Sequence, residues 1–112
     1  VEEAHQWFLD EVPFLDARRT RRYEEGHIKG AIAMSVWEAD FGENFDRYTN
    51  TAETDLPCVI YCNGKRCEDS HRLAERLKAS GFSQVMVFKD GYPAWKAAGH
   101  PIETGPEKSA DE

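Results

Sequence analysis

The chain has 112 residues, 40% hydrophobic and 31% charged, with a net charge of −7 and three cysteines. That length makes one globular domain, able to bury roughly two-thirds of the surface its unfolded form exposes. The negative charge excludes sequence-independent nucleic-acid binding, which depends on cations meeting phosphates, and an odd cysteine count in a chain this long is no disulfide framework. No membrane insertion and no secretory leader are expected, because no span is apolar enough to cross a bilayer and no charged n-region precedes an apolar run. A reducing, cytoplasmic setting is expected. A periplasmic one, or a place within a longer protein, is the alternative, since the chain opens on Val1.

Val1, Ala4, Trp7 and Phe8 recur at helical spacing and predict a short amphipathic helix over residues 2–10. A strand is expected from Val12 to Leu15, ending at Asp16-Ala17-Arg18. The segment RRTRRYEEGH is too charged to be buried, so Arg18, Arg19, Arg21 and Arg22 read as a solvated face balanced by Glu24 and Glu25. In HIKGAIAMSV, Gly30 punctuates and a short apolar run predicts another strand. From Trp37 to Leu56 the pattern is aromatic and irregular, which suggests partial helix and loop forming one wall of a pocket.

The clearest signals follow. CVIY, Cys58 to Tyr61, is a continuous β-favouring run of the kind found in a parallel strand covered on both faces. Leu73, Ala74 and Leu77 predict a helix between a capping residue, Asp69 or Ser70, and a stop at Gly81. QVMVF, Gln84 to Phe88, predicts a second buried strand, parallel to the first. A last helix is opened by Pro93 and closed by Gly99. The domain is expected over 1–104, and 105–112 reads as a polar, disordered tail.

The stretch IYCNGKRCEDSH carries the chemistry. Cys62 falls at the C-terminal end of a strand, where open α/β sheets place their reactive crevice. The amides of Asn63, Gly64, Lys65, Arg66, Cys67, Glu68 and Asp69, the positive end of the following helix and the cations Lys65 and Arg66 all favour a thiolate. Gly64 suits a loop that curls around an anion. Glu68 and Asp69 would repel a thiolate if they faced inward, and are expected to cap the helix instead. The competing reading is a cysteine that serves only as a small core hydrophobe.

Other chemistries are tested by spacing. Cys58, Cys62, Cys67 and His71 offer zinc ligands, but four residues along a strand set Cys58 about 13 Å from Cys62, too far to share a tetrahedral ion or a disulfide. No metal and no cofactor are expected, and Cys58 reads as core. Cys67 could either resolve an oxidised or persulfidated Cys62 or simply line the loop. A cysteine phosphatase needs an arginine where Glu68 stands, and a thioredoxin-type site needs C-x-x-C.

Four pieces, in order, resemble the rhodanese-like domain family over about residues 12–102: FLDAR (14–18), YEEGHIKGAI (23–32), VIYC (59–62) and DGYPAW (90–95). The resemblance implies a three-layer α/β sandwich with a central, mostly parallel sheet flanked by helices. It also implies a sulfurtransferase in which Cys62 takes a sulfane sulfur from a small donor such as thiosulfate. The resulting persulfide passes to a thiol or cyanide acceptor, or to a protein acceptor. Asp16, Arg18 and His27 match positions read as structural support, an ion pair and a hydrogen-bonded turn positioning the loop from behind, with His27 as a general base the sharper alternative. The loop departs from the family pattern x-x-G-x-R-S: aligned on Cys62, Cys67 stands in place of the arginine, and aligned on the helix, Asp69 does, with a loop two residues longer. Asp90 likewise replaces the first glycine of the terminal motif, which puts the backbone angle there in question. The alternatives to an enzyme are a redox-sensing or sulfur-carrier module built on Cys62 and Cys67 with little turnover, and a non-catalytic interaction domain; phosphatase or arsenate reductase activity ranks last. Oligomeric state is left open.

Overall fold

A computed structural model describes residues 1–64 and 66–106. In chain order the elements are α1 (Glu2–Leu9), β1 (Phe14–Asp16), α2 (Thr20–Glu25), β2 (His27–Ile28), β3 (Ile32–Ala33) and α3 (Phe41–Thr51). They continue with β4 (Cys58–Tyr61), α4 (Asp69–Ala79), β5 (Val85–Phe88), α5 (Gly91–Ala97) and β6 (Ile102–Glu103). Strands β3-β1-β4-β5 form one sheet with every pairing parallel. The expected α/β sandwich with its parallel β4–β5 pair is therefore what the chain adopts.

Side chains alternate across the sheet and feed two apolar cores, as the two-residue period of a strand requires. On one face Phe14, Val59, Tyr61 and Phe88 pack with Ala4 of α1, Tyr23 of α2 and Trp95 of α5. On the other, Leu15, Cys58 and Ile60 pack with Phe41 of α3 and Leu73, Ala74 and Leu77 of α4. Both faces of β4 are covered, so its unbroken apolar run is the signature of a central parallel strand.

Three local readings are corrected. The segment after β1 is not wholly solvated. Arg18, Tyr23 and His27 are buried, while Arg21 and Arg22 face solvent and pair with Glu25, and residues 20–25 form α2. Neither Asp69 nor Ser70 caps α4: Glu68 holds the cap position with no side-chain cap bond. α5 begins at Gly91, ahead of Pro93. The two-residue strands β2 and β6 also pair antiparallel, His27 with Glu103 and Ile28 with Ile102. Just past them, the Gly105 N–H donates to the Glu24 carbonyl at 2.8 Å, so the chain is still held one residue beyond the expected domain boundary. The remainder of the expected tail, 107–112, lies outside the described residues, as does Lys65.

Register decides where the site forms. Ala33, Asp16, Tyr61 and Phe88 are paired across the sheet in one row, and each is the last residue of its strand. The four segments that follow therefore leave the sheet along one edge. Trp95 anchors the α1–α5 face, fully buried, with its indole N–H donating to the Pro101 carbonyl at 2.8 Å. Trp95→Ala is expected to cost about 3–5 kcal/mol; urea unfolding checks this, and a loss below 1 kcal/mol contradicts it.

Candidate active site

Cys62 follows the last residue of β4, is buried, and lies where the four segments converge. Its sulfur is bonded to that of Cys67, the two Cα atoms standing 6.2 Å apart. The loop between them is closed by the Cys67 N–H, which donates to the Gly64 carbonyl at 3.1 Å. α4 starts two residues beyond Cys67, so its positive end lies beside the sulfurs.

Asp69, in the first turn of α4, does not act as a cap. One of its carboxylate oxygens lies with the Cys62 and Cys67 sulfurs in a group whose members are all within 4.8 Å of one another. The Trp37 indole N–H donates to this carboxylate at 2.6 Å. Trp37 arrives from the segment after β3, half exposed, with the Arg19 and Arg72 guanidinium groups 5.4 and 5.6 Å from its ring centre. Glu68 turns outward to Arg72, and Asn63 and Arg66 are exposed. His71 and Cys58 do not join the sulfur–carboxylate group. With the sulfurs bonded to each other, they offer no thiolate pair to a metal.

Behind the loop stands a buried cation. Arg18 donates from Nε and Nη2 to the Asp16 carboxylate, the Nη2 bond being 2.7 Å. It also donates from Nη2 to the Gly26 carbonyl at 2.6 Å and from Nη1 to Asn63 Oδ1 at 3.5 Å. Its guanidinium lies 4.3 Å from the centre of the Tyr92 ring. Burial opposes the charge, but the hydrogen bonds and charge of Asp16 outweigh it, and the Arg18 pKa is raised. Burial also pushes the Tyr61 hydroxyl well up, and Asp16 adds to this; that hydroxyl accepts the Ile28 N–H at 3.0 Å.

His27 is stacked on the Tyr23 ring, bonded through Nδ1 to the Tyr23 carbonyl at 2.7 Å, and faces Glu103 through Nε2 at 3.4 Å. These contacts turn it toward the β2–β6 ribbon. Cys58 is buried and free. Burial pushes its thiol pKa up, with a hydrogen bond to Tyr48 partly offsetting this. An open groove of about 460 Å³ lined by Val12, Pro13 and Phe14 lies at the start of β1, the opposite end from Asp16.

Two residues that the sequence reading left without a role at the site matter to it. Trp37 gave only the general signal of an aromatic, irregular segment. Gly91 lies in DGY, with φ +72°, and a Cβ there would meet the Cys62 carbonyl oxygen and stand 2.7 Å from the Gly64 N. Only glycine lets the start of α5 press against the cysteine loop, an approach fixed by the Tyr92 N–H donating to the Cys62 carbonyl at 2.9 Å. Asp90, in place of the family's first glycine, takes an ordinary helical conformation at φ −70°, ψ −25°, so that substitution does no harm to the backbone.

The chain matches the sequence profile of the rhodanese-like domain over residues 1–98. It belongs to that family. Among similar proteins, the thiosulfate sulfurtransferase GlpE of Coxiella burnetii is 29% identical over 91 residues, 81% of this chain and 77% of that protein. The HTH-type transcriptional regulator Rv0324 of Mycobacterium tuberculosis is 30% identical over 95 residues, 85% of this chain but only 39% of the regulator. The rhodanese-like domain of the Alr3790 protein from Anabaena superposes with a TM-score of 0.71 at 31% identity, covering 88% of this chain and 98% of that one. SseA of Escherichia coli, a 3-mercaptopyruvate sulfotransferase structure, shares the fold at TM-score 0.75 and 18% identity, covering 96% of this chain and 51% of that one.

Two outcomes are expected. Asp16→Asn leaves the buried Arg18 charge without its carboxylate, which costs about 3–5 kcal/mol; a urea midpoint close to the parent's contradicts this. Gly91→Ala forces an L-residue into a left-handed conformation, worth about 1–2 kcal/mol before any clash with the loop. Its unfolding free energy from urea titration should fall by at least that much, and an unchanged value refutes the close approach.

Proposed function

We propose that this rhodanese-like domain is a sulfurtransferase that carries sulfur as a persulfide on Cys62. The observation that supports this reading best is the position of Cys62: it stands beyond the C-terminal end of a central parallel strand and beside the N-terminus of α4, in a chain similar to proteins named thiosulfate sulfurtransferase. In this reading the Cys62 thiolate attacks the outer sulfur of a donor such as thiosulfate. The donor's S–S bond breaks, sulfite leaves, and the sulfane sulfur stays on Cys62.

Amides of the loop after Cys62, other than that of Cys67, which is bonded to the Gly64 carbonyl, and the end of α4 hold the anionic sulfur, each well-placed donor being worth roughly 3 kcal/mol. Arg66, exposed on the loop, supplies a cation at the mouth. Asp16 and Arg18 support the loop from behind, His27 holds the β2–β6 ribbon, and none of the three takes a proton from the substrate. The persulfide then passes to a thiol or to cyanide.

The test is sulfite release from thiosulfate with dithiothreitol as acceptor, measured on the parent and on Cys62→Ser. Turnover is expected in the parent and only the uncatalysed rate in the variant, with matching circular dichroism. Equal rates in the two proteins, or no release above background from the parent, overturn the reading. The Cys62–Cys67 bond favours a second reading, a redox-responsive carrier with little turnover. It is preferred if mild oxidant closes the bond while no small donor releases its leaving group.

A further inference from the structure

Resting on the Cys62 persulfide reading, we propose that Cys67 is a catalytic residue and the first acceptor of the chemistry: it displaces the carried sulfur as hydrosulfide and leaves the Cys62–Cys67 disulfide. Three observations point there. The atom that a persulfide would present for attack is the Cys62 sulfur itself, and it is the atom that the Cys67 sulfur already reaches. The bonded pair has a Cα separation of 6.2 Å, ordinary for a disulfide, and the Gly64–Cys67 hydrogen bond closes the same loop.

The third observation is electrostatic. An Asp69 oxygen lies within 4.8 Å of both sulfurs, held there by the Trp37 indole. An anionic persulfide beside a carboxylate is repelled. A disulfide is neutral, and the displaced hydrosulfide removes the charge. The same carboxylate that weakens the cradle as a resting place for a persulfide therefore favours its discharge.

The step balances. The Cys67 thiol gives its proton to the outer sulfur of the anionic Cys62 persulfide as its own sulfur attacks the inner one, a new S–S bond forms between the two cysteines, and the bond to the outer sulfur breaks with its electron pair. The outer sulfur is reduced to hydrosulfide and the Cys67 sulfur is oxidised, while the Cys62 sulfur, already oxidised in the persulfide, only exchanges its partner. A further cycle needs an external dithiol to reopen that bond by exchange. The product is thus sulfide rather than a sulfurated acceptor, and the natural co-substrate is a dithiol reductant.

A single-turnover experiment separates this from the proposed function. Fully reduced protein, freed of reductant under argon, receives one equivalent of thiosulfate per chain, and sulfite, sulfide and intact mass are followed. The parent is expected to give equal sulfite and sulfide and to end lighter by two hydrogens. Cys67→Ser and Cys67→Ala should release the same sulfite, keep one added sulfur atom, and give sulfide only when a thiol is supplied. Cys67 is only partly buried, so two replacements guard against a folding artefact.

If the parent instead keeps the added sulfur and releases no sulfide, or if the Cys67 variants release sulfide equally fast, Cys67 is not the acceptor and the persulfide reading stands alone. Closure of the disulfide at the same rate in a donor-free sample likewise removes Cys67 from the role of acceptor. If no protein releases sulfite or gains sulfur, the proposed function falls and takes this inference with it.

Discussion

The site depends on one buried ion pair. Placing the Arg18 guanidinium and the Asp16 carboxylate away from water costs several kcal/mol per ion unless geometry and further hydrogen bonds offset it. Here the pair is joined from two nitrogens of Arg18 to both carboxylate oxygens, and the remaining donors reach Gly26 and Asn63. The face of the guanidinium lies against Tyr92. One cation thereby fixes the end of β1, the turn before β2, the cysteine loop and the start of α5. Gly26 fits the same constraint, because a Cβ there would collide with the Tyr92 hydroxyl.

Two electrostatic influences then meet at Cys62. The start of α4 attracts an anionic sulfur, and Asp69 in its first turn repels one. Nucleophilic attack requires a thiolate, which the first favours. A long-lived charged adduct requires that nothing negative stand close, which the second denies. The two influences come from one turn of α4 and oppose each other at the same sulfur. The Trp37 indole fixes Asp69 in place and so belongs to this balance, although it touches neither sulfur in the contacts described.

What could be read from the chain follows from how far apart the partners lie. β4, α4 and β5 were legible because each is set by its own residues: a β-favouring run, a helical repeat of Leu73, Ala74 and Leu77, and a stop at Gly81. The parallel sheet followed from their order. The β2–β6 ribbon was not legible, because two-residue strands carry no pattern and theirs pair across most of the chain. α2 was hidden by its charge, and in the local charge pattern Arg18 looked like its solvated neighbours; only the family resemblance marked it as the ion-pair partner of Asp16. The place of Cys62 just past the end of β4 could be read because the strand before it is set by adjacent residues. Asp69 was misjudged as a cap, since its partner Trp37 lies 32 residues earlier, and no local rule foresees that bond.

Cys58 has a use of its own. It is about 1% exposed, and burial keeps its thiol protonated, so an alkylating reagent that attacks thiolates will pass it over while the fold is intact. Any label taken up by the native chain then reports on Cys62 or Cys67, and none is taken up when their bond is closed. Unfolding adds one more. The protein thus contains its own internal standard, a third thiol that registers global opening in the same measurement that reads the state of the pair.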